Sequence, residues 1–344
     1  MGLYERMGRR FEEYTPHLLM TLYFLALAIF IVFLQGQISH GGVSPLVFVL
    51  YEHLLSTVLL SILAFFERGK RPELTLNIFS WAFLVGFLQI PLGQLLLTAS
   101  LGYISATFQT TFLNTEGAFT FLLAVIFRRE ALSFCTINGQ AKFWGIIVSA
   151  IGAMIMVLWS GPKLGMISSP HELSDFAERA IGFLMVLGTV VAGASGSLLV
   201  EHVAIKYPSN ISLSAMMCFS GTIQTAIITV ITERNISTWK IHSVSEILII
   251  LYGGVTVTGL GYYIQTWCIN KRGPVFTAAF SPLLVVFSFI LETLILGNDA
   301  FLGSILGAVF VIVGLYMLLW AKADDHKEKI LTISSPEGPY EQLT

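Results

Sequence analysis

The stretch at residues 111–127, TFLNTEGAFTFLLAVIF, is apolar enough to lie in a lipid bilayer, yet it carries Asn114 and Glu116 near its middle. An ionisable side chain inside a membrane is costly unless it faces a cavity or a partner, so Glu116 is a candidate for function by default. Whether this holds depends on what the rest of the chain is.

The composition predicts an all-α polytopic membrane protein. Of the 344 residues 55% are hydrophobic and only 12% are charged, and the mean hydropathy is +0.78. A soluble domain has about 25% charged residues, which it needs to cover a surface that faces water. The net charge of -2 excludes the basic footprint of a nucleic-acid-binding protein. The 3 cysteines lie in separate segments, so we expect no disulfide framework, no metal site and no cofactor.

Ten runs of the chain are long and apolar enough to cross a bilayer, which takes about 20 residues per helix. Backbone polar groups must be satisfied inside lipid, and the runs do not alternate in polarity as barrel strands do, so each run is predicted to be helical. The first to the tenth predicted span cover roughly 16–35, 44–66, 77–98, 104–127, 141–160, 180–203, 211–232, 246–269, 274–296 and 302–321.

The distribution of Lys and Arg predicts the orientation. Of the 19 basic residues, 15 fall on the side that holds both termini, and the other 4 are Lys163, Arg179, Arg234 and Lys240. Positive loops face the cytosol, so we expect both termini to be cytosolic. Of two glycosylation sequons, only the one at Asn235 then lies on the opposite side, where it could be either modified or left unmodified.

The chain repeats itself weakly. Gln94 is followed eight residues later by Gly102 in QLLLTASLG, and Gln265 is followed eight residues later by Gly273 in QTWCINKRG. The predicted halves are 1–160 and 180–321, joined by a non-cytosolic loop at 161–179 and followed by a disordered cytosolic tail at 322–344. Each half has five spans, and because five is odd the second half must be inverted. Inverted repeats are a common transporter plan, with the substrate site at their interface.

Several stretches carry a resemblance to a known family. The second half contains QTWCINKRGPVF and LGSILGAVFVIVGLY, and the first half contains FFERGKRPELT, YISATFQTTFLN and AFTFLLAVIFRRE. These resemble plant drug/metabolite transporters with EamA repeats, the walls-are-thin-related, nodulin-21-like or UmamiT proteins. The resemblance covers nearly the whole chain. It implies a ten-helix carrier of small organic solutes, with amino acids and auxin-like compounds as substrate types.

The chain departs from that family's pattern at two places. Tyr51-Glu52 stands where the family usually has Tyr-Arg. Asn114-Thr115-Glu116-Gly117 stands where it usually has Asn-Leu-Leu-Pro. The asparagine is therefore kept, the proline is lost, and an acid is added at each place.

Polar side chains form a stripe on two spans that are counterparts in the repeat. On the fourth span they are Thr107, Thr111 and Asn114, with Glu116 in an adjoining sector, and on the ninth they are Thr277, Ser281, Ser288 and Glu292. We expect the two stripes to face one another across a substrate pathway. Gly117 and Ser281-Pro282 could loosen the two helices and expose backbone carbonyls to it.

Each of the polar candidates also has a purely structural interpretation. Glu116 could be a protonated acid hydrogen-bonded to a neighbouring helix. Glu52 and His53 could carry protons, as could Glu292, or Glu52 and His53 could be a locally satisfied pair. Gln94 and Gln265 could bind a substrate or hold helices together.

Small residues recur on two further spans, where helices can approach closely. Gly145, Ser149 and Ala153 are spaced by four on the fifth span, and Gly303 and Gly307 on the tenth. Such faces could build the bundle or a homodimer.

The sequence thus favours a secondary transporter working by alternating access, with the lipid bilayer and a small-molecule substrate as its partners. No Walker A motif occurs, so ATP drive within the chain is not expected, and no HExxH motif or pair of membrane aspartates suggests an enzyme. A channel, a non-transporting scaffold and, with less support, an intramembrane enzyme remain as alternatives. The plasma membrane and the vacuolar membrane are both compatible with the sequence.

Overall fold

The computed structural model describes residues 3–38, 44–67, 69, 71–100, 103, 113, 115–129, 136–158, 176–241, 243–295, 306–307 and 309–321. Among these residues all the regular secondary structure is helical. Within these ranges six helices are long and apolar enough to cross a membrane. Three shorter apolar helical segments lie at Glu116–Ile126, Pro274–Ser288 and Val309–Ala321, inside the fourth, ninth and tenth predicted spans. The loop 161–175 and the tail 322–344 lie outside the described residues.

The helices follow the predicted spans in order. They are α1 (Leu3–Ile38), α2 (Pro45–Phe66), α3 (Leu76–Phe87), α4 (Leu96–Ser100), α5 (Glu116–Ile126), α6 (Ile137–Leu158), α7 (Phe176–Lys206), α8 (Asn210–Thr232), α9 (Val244–Tyr252), α10 (Gly261–Arg272), α11 (Pro274–Ala278), α12 (Pro282–Ile295) and α13 (Val309–Ala321). A π-helical segment, Leu88–Leu95, continues α3 into α4, and a second, Gly253–Leu260, continues α9 into α10. The third and eighth predicted spans are therefore each widened by π-helical geometry, which often marks functional positions in helices.

Two helix boundaries have clear local causes. Ser243 accepts the backbone N–H of Glu246, whose side chain accepts the N–H of Ser243 in return, so a capping box starts α9. Gly273 ends α10 with a φ of 86°, a left-handed conformation that glycine adopts at little cost. Pro274 follows and begins α11, where its missing N–H is not needed.

The packing repeats itself with the two halves exchanged. Helix α1 packs on α12, the first span on the ninth, just as α7 packs on α5, the sixth span on the fourth. Helix α2 packs on the segment Gly253–Leu260, and α8 packs on α3. Helices α2 and α8, counterparts of one another, also pack together. This exchange is the contact pattern of a polytopic protein built from two inverted five-helix repeats.

The small residues of the fifth and tenth spans are used inside the chain. A Cβ on Gly145 would lie 2.8 Å from the carbonyl oxygen of Gly314, and one on Gly152 would lie 2.7 Å from that of Gly307. Ser149 is buried at the same contact, where a Cβ on Gly314 would meet its backbone at 2.5 Å. The described members of these two faces, Gly145, Ser149 and Gly307, therefore pack inside the chain. Ala153 (its side chain) and Gly303 lie outside the described residues.

Candidate functional site

Two helices are interrupted at corresponding places in the two halves. In the fourth predicted span Thr115 lies in a turn and α5 begins at Glu116, so the described helix starts part-way along the span. In the ninth span α11 ends at Ala278, residues 279–281 form turns, and α12 begins at Pro282.

Pro282 explains the interruption in the ninth span. Proline has no backbone N–H, so it cannot donate to the carbonyl oxygen of Ala278 four residues earlier. Ser281 takes over this role, with its backbone nitrogen 3.2 Å and its Oγ 2.8 Å from that oxygen. The carbonyl that we expected to be exposed is thus capped by the predicted residue Ser281.

The two interruptions touch each other. A Cβ on Gly117 would lie 3.1 Å from the carbonyl oxygen of Ala278 and 3.9 Å from Ser281 Oγ. Helices α5 and α11 also pack together. The first turn of α5 therefore meets the break between α11 and α12 directly at Gly117, and Glu116 is the residue next to that contact.

Glu116 is half-buried and faces α7. A Cβ on Gly193 would lie only 2.6 Å from Glu116 Oε1, so any larger residue at position 193 would force the carboxylate to move. Glu116 also stands in the first turn of α5, where the partial positive charge of a helix N-terminus favours an anion.

Gln89 borders the same face of α7. It belongs to the π-helical segment Leu88–Leu95, and a Cβ on Gly196 would lie 2.9 Å from its Cγ. Gly193 and Gly196 are three residues apart and so share a helix face. The third and fourth spans thus each place one polar side chain against a glycine of the sixth span.

A second acid, Glu52, lies on α2 with only 1% of its surface exposed. Thr258 Oγ1 donates a hydrogen bond to Glu52 Oε1, while Oε2 has no partner among the described residues. Gly253 and Gly254 allow this approach, since a Cβ on Gly253 would be 3.2 Å from the carboxyl carbon of Glu52 and one on Gly254 would be 2.9 Å from its backbone oxygen.

His53 is fully buried beside Glu52. Its Nδ1 donates to the carbonyl oxygen of Val49 at 2.8 Å, and in the described part of the chain its Nε2 has no partner. The backbone oxygen of His53 accepts a hydrogen bond from Thr222 of α8 at 3.2 Å. Its ring centroid is 6.1 Å from that of Tyr262.

Tyr23 of α1 lies near both acids. It interacts electrostatically with both Glu116 and Glu52, and its side chain is hydrogen-bonded to that of Gln265. A Cβ on Gly261 would lie 2.5 Å from Cε2 of the Tyr23 ring. We call Tyr23, Glu52, Glu116, Thr258 and Gln265 the central cluster; its members come from the first, second, fourth and eighth spans, and so from both halves.

The other predicted site residues fall into four groups. Thr277 is buried and donates to the carbonyl oxygen of Pro274 at 2.8 Å, which satisfies it within its own helix. Gln94 and Ser288 are half-buried, and Gln94 has a polar partner. Thr107, Thr111, Asn114 and the side chain of Glu292 lie outside the described residues. Asn235 is exposed at the turn after α8, where its side chain accepts from the backbone nitrogen of Ser237 at 3.1 Å.

Three residues of this region were missed in the sequence. Tyr23 stands in an ordinary apolar run, Gln89 has no counterpart in the repeat that singles out Gln94, and Thr258 is one of several hydroxyl residues in VTVTG. Only the inverted packing brings Tyr23 and Thr258 to the acids and Gln89 to the glycine face of α7. Among the described residues no group of three His, Cys, Asp or Glu side chains could hold a metal ion.

Comparisons with known proteins agree with this architecture. The EamA-like transporter family matches residues 15–158 and 180–320, once in each half. A WAT1-related protein of Arabidopsis thaliana is 36% identical over 315 residues, which are 86% of this chain and 84% of the relative. An auxin-induced protein of Pinus taeda is 32% identical over 317 residues, 88% of this chain and 77% of the relative.

A crystal structure of another protein has the same fold. It superposes with a TM-score of 0.65 at 15% identity and covers 90% of this chain and 99% of its own. The family match spans both repeats and the plant relatives align over most of the chain, and the packing places polar residues of both repeats together. The chain therefore belongs to the EamA-like transporter family and is a membrane transporter of the drug/metabolite type.

Proposed function

We propose that this transporter is a secondary carrier that moves small organic solutes by alternating access, with the substrate bound beside the central cluster. The observation that carries the proposal is the contact between the two interrupted helices, where Gly117 meets the carbonyl oxygen of Ala278. Carriers with inverted repeats bind substrates near the bilayer midplane at such discontinuous helices. Glu116 stands at this contact and is half-buried rather than sealed.

The charges of the site favour amino acids over auxin-like acids. The central cluster contains two carboxyl groups, one phenol, one hydroxyl and one amide, and none of its members is Lys or Arg. A carboxylate at Glu116 pairs with the ammonium group of an amino acid, and Gln265 and Tyr23 offer hydrogen-bond donors for the substrate's carboxylate. An auxin-like anion would meet two acids without a compensating cation.

Coupling to protons follows from the same acids. A carboxyl group that holds a proton no longer attracts an ammonium group, so proton and substrate compete at Glu116. Tyr23 lies near both Glu116 and Glu52, while α7 presents the uncharged Gly193 to Glu116. His53 and Glu52 are adjacent in sequence, and their atoms Nε2 and Oε2, which have no partner among the described residues, could take part in passing a proton.

Both ends of the bundle carry contacts that would have to change when the site opens. At the end predicted to be non-cytosolic, Ser44 Oγ donates to Glu233 Oε1 and the Tyr51 hydroxyl donates to the carbonyl oxygen of Trp239 at 2.9 Å. At the opposite end, Arg129 lies 3.2 Å from His202 Nδ1, joining the segment after α5 to α7. These contacts link the two halves, as alternating gates would.

The orientation proposal, with both termini cytosolic in the plasma or vacuolar membrane, has a direct test. Asn235 is exposed and lies on the end predicted to face away from the cytosol, whereas Asn210 begins α8 at the other end. If the protein is glycosylated when expressed in plant cells, glycosidase treatment should change its mobility on a gel. The Asn235→Gln substitution should abolish this change, and the Asn210→Gln substitution should not. A fluorescent fusion would then separate the two membranes.

Uptake into proteoliposomes tests the function. We expect saturable flux of labelled amino acids that is accelerated by unlabelled substrate on the other side. Glu116→Gln should lower the flux and flatten its pH dependence. The matched control is Glu246→Gln, a buried glutamate in the first turn of α9 whose capping role glutamine can also fill.

The alternatives predict other results in the same preparation. Unitary currents without counterflow would identify a channel, and no flux of any amino acid or auxin by the folded protein would favour a scaffold. Chemical conversion of the solute would point to an enzyme. If Glu116→Gln kept both the rate and the pH profile of the parent, the acid would have only a structural role.

A further inference from the structure

A cleft opens between the end of α2 and the beginning of α8, away from the central cluster. It has a volume of about 260 Å³ and is lined by Ala64, Phe65, Arg71, Ser212, Ala215 and Phe219, among others. Pockets that enclose drug-sized ligands have volumes of ~300–1,000 Å³. A cleft smaller than this holds one side of a molecule whose remainder lies outside.

The cleft has apolar walls and a floor of small residues. Phe65 and Phe219 are 64% and 47% exposed and stand where the helices face lipid, whereas Ala64 and Ala215 are buried beneath them. Phe219 follows Ser212 by seven residues, which is about two helical turns or roughly 10 Å along α8. The cleft therefore runs along the bundle from its polar end towards the membrane interior.

Ser212 and Arg71 are two of the polar residues that line the cleft. Ser212 is only 1% exposed, and its Oγ has no hydrogen-bond partner among the described residues. A buried hydroxyl without a partner is costly, above all in a membrane, so this one points to a ligand atom that the protein does not supply. Arg71 lies beyond the end of α2, at the polar mouth.

The surrounding charges favour an anion at this mouth. Arg71 closes the sequence RGKR at residues 68–71, on the side where basic residues collect and which is predicted to be cytosolic. The nearby acid Glu67 does not line the cleft, and its Oε2 accepts a hydrogen bond from Ser209 at 2.9 Å. The cytosolic leaflet is where anionic lipids attract such basic segments.

We propose that this cleft is a binding site for an anionic phospholipid of the cytosolic leaflet. The lipid phosphate lies at Arg71, and an ester carbonyl accepts a hydrogen bond from the Ser212 hydroxyl. One acyl chain lies over Ala215, between Phe65 and Phe219. The order of these groups along the bundle, polar mouth, hydroxyl, then apolar walls, matches the order of phosphate, ester and chain in a phospholipid. Because α2 and α8 come from opposite halves, the lipid bridges the two repeats.

Native mass spectrometry of the full-length, delipidated protein in detergent tests the site. With phosphatidylserine added, we expect lipid-bound peaks that phosphatidylcholine does not produce at the same concentration. Arg71→Ala should weaken this binding by roughly tenfold or more, the value of one or two charged hydrogen bonds. The control Arg234→Ala removes an arginine at the opposite end and should leave it unchanged.

Further arms separate the sources of the anion. Ala215→Leu fills the floor while keeping Arg71 and should also abolish the phosphatidylserine peaks, with the melting temperature reporting that the variant is folded. If Ala215→Leu does not fold, Ser61→Leu on the cleft's other wall replaces it. Glycerophosphoserine, which has the head group without chains, should not bind. Equal binding of phosphatidylserine to the parent and Arg71→Ala, or binding of glycerophosphoserine as strong as that of the lipid, would overturn the proposal.

Discussion

Gly117 and Ala278 are the point of close contact between the two interrupted helices: a Cβ at position 117 would lie 3.1 Å from the carbonyl oxygen of Ala278. That oxygen belongs to rigid backbone and is already engaged by Ser281. The fourth and ninth spans are thus in contact at the level of Glu116, and any side chain at 117 must separate them.

Substituting Gly117 with Ala should therefore lower both stability and transport. Overpacking of this kind costs about 1–3 kcal/mol, which exceeds the gain of ~1 kcal/mol expected for replacing a helical glycine by alanine. Thermal unfolding in detergent and initial uptake rates measure the two effects. The matched control is Gly188→Ala, whose Cβ would lie 3.2 Å from Leu96 Cδ1, the end of a flexible side chain. If both variants melt alike, the contact with Ala278 is looser than the structure shows.

Gly193→Ala tests whether the position of the Glu116 carboxylate matters for transport. The new Cβ would lie 2.6 Å from Oε1, so the carboxylate has to move away from α7. We expect a loss of flux close to that of Glu116→Gln, and the double variant should be no worse than either. The coupling energy from such a cycle should be about 0.5–3 kcal/mol. The control is Gly196→Ala, which displaces Gln89 instead, and additive losses for Gly193→Ala and Glu116→Gln would contradict the prediction.

The sequence predicted the fold more fully than the site. Apolar runs and the Lys/Arg bias depend on local composition, which is why the spans, their order and the two repeats could be foreseen. Glu116 and Glu52 were recognisable for the same reason, since a charge in an apolar run stands out. Tyr23 and Gln89 were not, because neither contrasts with its neighbours. Only the exchange of partners between the halves brings Tyr23 near the acids and Gln89 to the same face of α7.

The broken helices also show which features local sequence can predict and which it cannot. From sequence alone Pro282 predicts that Ala278 lacks its helical hydrogen bond, but the carbonyl that we expected to be exposed is capped by Ser281. What no local pattern could supply is the partner that the break meets, namely Gly117 on another helix. Gly193 and Gly261 are further examples, since each is a glycine because of a side chain far away in sequence.

Thr258→Val should destabilise the protein by removing the hydroxyl that donates to Glu52. The carboxyl would then be buried with neither oxygen bonded to the described residues, and an unsatisfied buried group costs about 1–3 kcal/mol or more if charged. Valine keeps the volume and branching of threonine, so lost packing does not explain the effect. Thr258→Ser, which restores the donor, should recover most of the melting temperature. A valine variant as stable as the parent would mean that Glu52 finds another donor.

Tyr23→Phe separates the chemistry of the central cluster from its packing. The ring of the phenylalanine still covers Gly261. The hydroxyl, which is hydrogen-bonded to Gln265 and lies near both acids, is lost. We expect KM for amino acids to rise by about tenfold, the value of one substrate hydrogen bond to a charged group, with little change in melting temperature. Tyr252→Phe is the matched control, because its hydroxyl donates to the backbone of Ala26 on the same helix α1 at 3.1 Å. If both variants raise KM alike, α1 acts as a general support and Tyr23 has no contact with the substrate. If only Tyr23→Phe raises KM, the Tyr23 phenol near the two acids belongs to the binding site.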